Sequence, residues 1–190
     1  MTGDREKWNR KYRERRFSEV PSEIVQAHLH RAPAGRALDL ACGTGRNACF
    51  LAARGFRVDA VDISEVGLRR FVCPPAGIHR ICQDVETFVI RPRHYALIVN
   101  TRFLQRNLFD AIQAGLVPGG LLIFETYLRD PGPNADQRFR PAHLLRSGEL
   151  KSAFAALETL TYGESPSRSP EAPSRKAALV AMRPLTAGVG

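Results

Sequence analysis

The chain has 190 residues, of which 44% are hydrophobic and 25% charged, a composition typical of a folded globular protein and not of a disordered one. No stretch approaches the roughly 20 consecutive apolar residues that a membrane-spanning helix needs, and the length suits one domain that requires neither disulfides nor a structural metal. The unusual feature is a net charge of +9. It indicates either a highly soluble surface or an anionic partner, such as nucleic acid, a membrane surface or an acidic small molecule.

The positive charge is concentrated in two segments. Residues 4–16 carry seven Lys or Arg against three acids, and residues 91–106 carry four Arg and no acid. The first segment lacks the apolar run of a secretory signal, and its acids argue against a transit peptide. We therefore expect a cytoplasmic protein. The cysteines show neither a CxxC pair nor metal-ligand spacing, so we expect free, mostly buried thiols and no metal site. They are Cys42, Cys49, Cys73 and Cys82.

Helical and strand patterns alternate along the chain. Helices are predicted at 4–16, 22–31, 47–54, 64–71, 103–114 and 149–157. Strands are predicted at 37–41, 56–62, 78–82, 95–99, 121–125, 159–162 and 177–182. Pro118-Gly119-Gly120 is expected to form a turn before the fifth strand, and the Ser- and Pro-rich stretch 165–174 a loop between the last two.

This order predicts an α/β fold, with a doubly wound, mostly parallel seven-stranded sheet and helices on both faces. The last two strands follow one another without a helix, so we expect an antiparallel hairpin at one edge. The whole chain, 1–190, is predicted to form one domain, with an N-terminal helical segment (1–34), a core (35–183) and a tail (184–190). Ligands of such sheets bind beyond the carboxyl ends of the strands.

A glycine-rich turn follows the first predicted strand. Gly43 and Gly45 allow the backbone to turn sharply and a ligand to approach main-chain N–H groups at the start of a helix. Asp62 ends the second strand, where a carboxylate can accept hydrogen bonds from a ribose diol. The glycine pattern alone, with Ala48 in place of a third glycine, also matches the dinucleotide-binding signature.

Two further carboxylates argue against a dinucleotide. Asp39, just before the turn, would repel a pyrophosphate but would suit an ammonium group such as that of S-adenosylmethionine. Asp84 follows the third strand, where it can accept from the exocyclic amine of adenine. Only about 60–70 residues remain after the fifth strand, too few for the substrate domain of a dehydrogenase.

These elements together resemble the class I S-adenosylmethionine-dependent methyltransferases over about residues 36–183. Several short motifs are similar to the tellurite-resistance and thiopurine-methylating branch of that class. These are Trp8 with Tyr12, 21–22, 45–48, 51–52, 61–64 and 148–150.

The resemblance implies S-adenosylmethionine as the cofactor and assigns roles by matching position. Asp39, Gly43 and Gly45 would hold the methionine end, Asp62 the ribose, and Asp84 with Val85 the adenine. Tyr12 corresponds to a lid residue of this branch, and Asn100 lies where the methyl group meets its acceptor. Ala41, Arg46 and Ile63 complete the implied cofactor set, and Asn100, Arg102 and Tyr127 are the implied catalytic residues.

The acceptor has no motif of its own. The fourth strand is followed by Asn100-Thr101-Arg102-Phe103, without the Pro-Pro typical of enzymes that methylate exocyclic base amines and without a Cys nucleophile for cytosine. The loop between the last two strands lacks a histidine, which puts in doubt any chemistry of the branch that needs one. We expect residues 126–145, including Arg138, to form the acceptor pocket, and Arg102 and Arg106 to attract an oxyanion.

The sequence therefore favours methyl transfer to a small, soft or anionic acceptor, such as a thiol or a selenium or tellurium oxyanion, since such an acceptor needs no general base. A methyltransferase acting on RNA or protein and a non-catalytic S-adenosylmethionine-binding module are the alternatives. The expected partner is a small molecule; nucleic acid is less favoured and a membrane is not expected. The protein is expected to be a monomer or homodimer.

Overall fold

The computed structural model describes residues 2–73, 76–129, 140–165 and 175–185. The described residues form six α-helices: α1 (Thr2–Glu14), α2 (Glu23–His28), α3 (Arg46–Ala52), α4 (Glu65–Arg69), α5 (Phe109–Gly115) and α6 (Glu149–Ala153). Seven strands accompany them: β1 (Arg36–Leu40), β2 (Arg57–Asp62), β3 (Ile78–Cys82), β4 (Tyr95–Thr101), β5 (Leu116–Tyr127), β6 (Glu158–Ser165) and β7 (Lys176–Met182).

All seven strands belong to one sheet, in the order β3-β2-β1-β4-β5-β7-β6. The first five pair in parallel, whereas β7 is antiparallel to both β5 and β6. The predicted doubly wound sheet with an antiparallel edge hairpin is therefore confirmed. The order reverses between β1 and β4, which places a ligand crevice at the carboxyl ends of these two strands.

Two hydrophobic clusters cover the two faces of the sheet. Val25, Leu51 and Leu68 of α2, α3 and α4 pack against one face, and Ile112 and Phe154 of the α5–α6 side pack against the other. The central strands are buried on both faces, which is why they read as continuous apolar runs in the sequence. None of the helices in the described ranges has both the length and the apolar character needed to cross a bilayer.

Two predicted elements differ from the structure. The segment Pro118-Gly119-Gly120 lies inside β5 instead of forming a turn before it, and the pairing with β4 jumps there from Tyr95↔Leu116 to Leu97↔Leu121. Gly119 has φ 75°, a conformation that suits glycine at such an irregularity. The helix expected from residue 103 begins only at Phe109, after a 3₁₀ turn at Arg106–Leu108. Most of the predicted loop 165–174, and most of the tail 184–190, lies outside the described residues.

Arginines gather at the amino ends of the parallel strands. Arg57, Arg91 and Arg93 are exposed there, and Arg36 forms an ion pair of 2.9 Å with the buried Asp59. The carboxyl ends of β1 and β2 instead carry the buried acids Asp39 and Asp62. Part of the positive charge of the sequence thus lies at the amino ends of the strands, opposite the crevice, and part on α1.

The expectation of four free thiols is wrong. Cys49 of α3 and Cys73, which follows α4, form a disulfide across a sequence separation of 24 residues, while Cys42 and Cys82 are free. Cys42 is buried but Cys82 is exposed. The spacing gave no indication of the pairing, because it depends on how the connection after α4 returns to α3.

Opening this disulfide is expected to lower the free energy of unfolding by about 3 kcal/mol, because a cross-link of this span restricts the unfolded chain. Thermal denaturation of the wild type and of Cys49→Ser, with and without a dithiol reductant, measures the change. Cys82→Ser is the matched control and should melt like the wild type. Thiol titration of the unfolded, unreduced protein should find two thiols; finding four would contradict the prediction.

Candidate functional site

The glycine-rich turn between β1 and α3 contains three residues with left-handed backbone. Ala41, Gly43 and Gly45 have φ of 52°, 59° and 80°. Such a conformation is unfavourable for alanine, and strained backbone of this kind is found mainly at functional sites. The amide of Cys42 donates to the carbonyl of Val61, which fixes this turn against the end of β2. The first turn of α3 therefore faces the crevice.

Two aromatic rings cover this turn. A Cβ atom on Gly43 would lie 2.6 Å from the Tyr12 hydroxyl, and one on Gly45 would overlap the ring of Phe71. Tyr12 is buried and also contacts the ring of Phe17, with ring centroids 4.6 Å apart. Burial, with Asp62 nearby, raises the pKa of the Tyr12 hydroxyl. The structure thus places the predicted lid residue directly on the glycine-rich turn, in its protonated form.

Asp62 links the turn to the start of α4. The side chain is only 4% exposed; its Oδ2 accepts from the Gly43 amide and its Oδ1 from the Ser64 amide, both at 2.8 Å. Burial raises the pKa of Asp62, and these two amide hydrogen bonds oppose the rise. Each carboxylate oxygen can accept a second hydrogen bond, so Asp62 keeps the capacity to hold a ribose diol.

Asp39 has an unusual unsatisfied atom. Its Oδ2 is buried and has no hydrogen-bond partner within the described ranges, while the amide of Ala48 donates to the carboxylate. Burial raises the pKa of Asp39 to about 7, and the nearby Arg46 opposes this rise. A buried acceptor without a partner costs about 1–3 kcal/mol. An ammonium group would satisfy this oxygen, so the residues present fit the methionine end of S-adenosylmethionine.

The adenine-side residues lie on the neighbouring strand. Cys82 pairs with Asp62 in register, so Asp84 lies just beyond the end of β3, beside the end of β2. The Asp84 side chain accepts from the Glu86 amide at 3.0 Å and caps a 3₁₀ turn that holds the buried Val85. Ile63 follows Asp62 at the end of β2, and its carbonyl accepts from the Cys82 thiol of β3 at 3.8 Å. The three predicted carboxylates therefore end three adjacent strands.

Two arginines, Arg46 and Arg102, lie close enough to interact electrostatically. Burial and the nearby Arg102 lower the pKa of Arg46, and Asp39, Glu125 and Tyr127 are close enough to oppose this. Arg102 is exposed and left-handed, with φ 60°, and its amide donates to the Glu125 carbonyl. In the described part of the chain, neither guanidinium forms a hydrogen bond or an ion pair. Two neighbouring cations without a paired carboxylate are suited to an anion.

Two other residues predicted near the acceptor, Asn100 and Arg106, are bonded to groups of the protein itself. The side-chain Nδ2 of Asn100 donates to the Phe103 carbonyl at 2.8 Å, which shapes the turn that carries Arg102. Arg106 does not face the crevice freely: it is bound to Glu149 and to the carbonyls of Ala142 and Leu144. Of the predicted acceptor segment 126–145, residues 130–139, with Arg138, lie outside the described residues.

Two further residues contact this site and are not predicted by the sequence pattern. Phe71 lies on Gly45, and Asn9 contacts the start of α4. Asn9 lies between Trp8 and Tyr12 in a motif that the resemblance used, which was the only signal available for it. Cys42, the cysteine closest to the turn, is buried, and burial raises its pKa well above the usual range, so it remains a neutral thiol.

Comparisons with known proteins agree with this geometry. Residues 11–160 match a protein family described as a methyltransferase domain. TehB from Haemophilus influenzae has a similar structure, with a TM-score of 0.69 at 20% identity, over 94% of this chain and 66% of TehB. An S-adenosylmethionine-dependent methyltransferase from Methanosarcina mazei gives a TM-score of 0.66 at 14% identity, over 87% of this chain and 99% of that protein.

One curated relative has a different name. Hemagglutinin 1 of Eikenella corrodens is 28% identical over 162 residues, which cover 76% of this chain and 50% of that protein. The chain thus spans about half of the length of the curated relative that it matches. The family match over residues 11–160 shows that the chain belongs to the methyltransferase domain family, and its fold is that of the S-adenosylmethionine-dependent methyltransferases.

Proposed function

We propose that the protein transfers the methyl group of S-adenosylmethionine to a small anionic acceptor with a soft nucleophilic atom, such as a thiolate or an oxyanion of selenium or tellurium. The observation that carries the acceptor class is that Arg46 and Arg102 are close enough to repel one another electrostatically, while neither guanidinium forms an ion pair within the described residues. Membership of the methyltransferase domain family and the unpartnered oxygen of Asp39 support the cofactor.

The carboxylates at the strand ends would hold the cofactor. Asp39 would accept from its ammonium group, Asp62 from the ribose diol and Asp84 from the adenine amine, with Val85 against the ring. When bound, S-adenosylmethionine supplies an electrophilic methyl group on a sulfonium sulfur. Tyr12 and Phe71 cover the turn and would exclude water from this end of the crevice.

Arg46 and Arg102 would orient the acceptor. Arg46 begins α3, directly after Gly45, and therefore links the cofactor turn to the acceptor side. Arg102 lies at the end of β4, where the left-handed backbone directs the chain away from the sheet. Guanidinium groups bind oxyanions through paired hydrogen bonds and at the same time compensate the charge of the anion.

A soft anionic acceptor needs no proton removed before it reacts, which matches a site whose nearby polar groups are already bonded to other residues. Its nucleophilic atom is already ionised, so alignment of acceptor, methyl and sulfur contributes most of the rate. The Asn100 side-chain amide is engaged with the Phe103 carbonyl. Glu125 forms an ion pair of 3.2 Å with Lys176. These groups are thus used to shape the site.

The test is a methylation assay with radioactive S-adenosylmethionine and a panel of selenite, tellurite, small anionic thiols, neutral thiols and RNA. With an active anionic acceptor, Arg102→Gln is expected to raise the acceptor KM about 10- to 100-fold, the loss of one or two charge-assisted hydrogen bonds, while the Kd for S-adenosylmethionine stays unchanged. Arg93→Gln is the matched control, since Arg93 is also exposed and left-handed (φ 48°) but lies at the opposite edge of the sheet.

Several results would contradict the proposal. Equal turnover of neutral and anionic thiols would remove the role of the arginine pair. Methylation of RNA alone, with binding that weakens steeply as salt rises, would assign the basic surface to the substrate instead. Absence of S-adenosylmethionine binding to the wild type would overturn the function altogether.

A further inference from the structure

The N-terminal helix α1 is joined to the start of α4 by one buried polar side chain. Asn9 of α1 is only 8% exposed, and its Oδ1 accepts from the Ser64 hydroxyl at 2.6 Å and from the Val66 amide at 3.4 Å. Ser64 is fully buried. A hydrogen bond between two buried side chains 55 residues apart defines the position of both partners.

Ser64 in turn is held from two other sides. Its hydroxyl oxygen accepts from the Gly67 amide at 3.1 Å and so caps the N-terminus of α4. Its own amide donates to Asp62 Oδ1. A serine hydroxyl can donate one hydrogen bond, and Ser64 donates it to Asn9 Oδ1. The rotamer of Ser64 therefore depends on Asn9.

These contacts form a continuous relay. It runs from Asn9 through the Ser64 hydroxyl, along the Ser64 backbone to the Asp62 carboxylate, and from there to the Gly43 amide of the glycine-rich turn. Every member is buried. These contacts connect Asp62 to a residue that lies outside the sheet and its crossover helices.

A separate contact holds α1 in place. The Arg70 guanidinium donates to the carbonyl of Tyr12 and, at 3.0 Å, to that of Arg15, near the end of α1. The ring of Tyr12 also packs against the backbone position of Gly67. Removing the Asn9 side chain should therefore leave the helix docked while it breaks the relay.

We propose that Asn9 is a positioning residue for cofactor binding, which sets Ser64 and through it the Asp62 carboxylate. This inference rests on the proposed function, since it concerns the ribose side of the same site. Asn9 touches neither the glycine-rich turn nor the arginine pair through any hydrogen bond of the described residues. Its effect should consequently appear in cofactor affinity and not in the acceptor step.

The experiment compares Asn9→Ala, Asn9→Asp, Ser64→Ala, the double variant Asn9→Ala/Ser64→Ala and the control Arg10→Ala, an exposed residue of the same helix. Calorimetry gives the Kd for S-adenosylmethionine, and initial rates give kcat and both KM values. Asn9→Ala should raise the Kd about 5- to 30-fold, because the loosened Ser64 and Asp62 side chains must then be ordered when the cofactor binds, with kcat and the acceptor KM unchanged. Asn9→Asp keeps the acceptor for the Ser64 hydroxyl and should lie within about threefold of the wild type.

The double variant separates positioning from general damage. If the relay acts as a unit, the double variant should bind S-adenosylmethionine no more weakly than the single variant with the lower affinity. Thermal denaturation of each variant shows whether it folds, and Asn9→Asp tests the proposal should Asn9→Ala unfold. Equal affinity of Asn9→Ala and wild type, strictly additive losses, or an equal loss in Arg10→Ala would overturn it. A wild type that binds no S-adenosylmethionine would instead overturn the proposed function, and this inference with it.

Discussion

Replacing Asp62 with alanine is expected to raise the Kd for S-adenosylmethionine by at least about 100-fold. The change removes the acceptor for the ribose diol and also the acceptor for the Gly43 and Ser64 amides, which lie 2.8 Å away. Charge-assisted hydrogen bonds contribute about 1.5–3 kcal/mol each, so losing the two that Asp62 would form with the ribose diol accounts for this factor. Calorimetric titration of the purified protein measures it.

Asp59 provides a matched control on the same strand. It is also a buried carboxylate of β2, but it is bonded to Arg36 and to the Tyr95 hydroxyl at 3.1 Å, toward the opposite edge of the sheet. Asp59→Ala should lower the melting temperature and leave the Kd of the folded protein close to that of the wild type. An equal loss of affinity in both variants would show that Asp62 acts only through stability.

The affinity for S-adenosylmethionine is expected to rise with pH between about pH 5.5 and 7.5. Burial raises the pKa of Asp39 from 3.8 to about 7, so below pH 7 most of the free protein carries a protonated Asp39, which cannot pair with an ammonium group. Well below this pKa, the Kd should fall about tenfold for each unit by which the pH rises. Above this pKa, the Kd should become independent of pH. Binding at pH 6 should release a proton, which calorimetry in buffers of different ionisation enthalpy detects.

The same titration affects stability with the opposite sign. Between pH 3.8 and about 7 the folded protein holds a proton that the unfolded chain has released, so the contribution of Asp39 to the free energy of unfolding falls as pH rises through this range. Asp39→Asn should abolish both dependences and weaken binding even at pH 8, while Asp59→Asn should retain the pH profile of the Kd. A flat profile in the wild type would contradict the role of Asp39.

Much of the fold could be predicted because its determinants are local. The apolar runs of β1 and β4 mark strands buried on both faces, and the absence of a helix between β6 and β7 requires an antiparallel pair. The irregularity at Pro118-Gly119-Gly120 was misplaced because a turn and a bulge use the same residues. Only the pairing of β5 with β4 distinguishes them.

The candidate site also contains residues that could be predicted from local sequence and residues that could not. The roles given to Asp39 and Asp62 depend on their places at strand ends, which the sequence pattern predicts. The electrostatic proximity of Arg102 to Arg46 and the disulfide between Cys49 and Cys73 depend on how separate elements pack, which spacing alone does not encode. Arg106 shows the converse: its place in the sequence suggested the acceptor site, but Glu149 lies close enough to bind it.

The hydrogen bond between Asn9 and Ser64 also determines the order in which the site can be completed. During synthesis, α1 leaves the ribosome before α4 exists, and a polar helix of 13 residues is only marginally stable in water on its own. The helix must therefore wait, largely unfolded, until β2 and α4 have been made and have packed onto the sheet. Its strongly polar composition protects it from aggregation during that interval. The contribution of α1 to the candidate site can thus form only after β2 and α4 have folded.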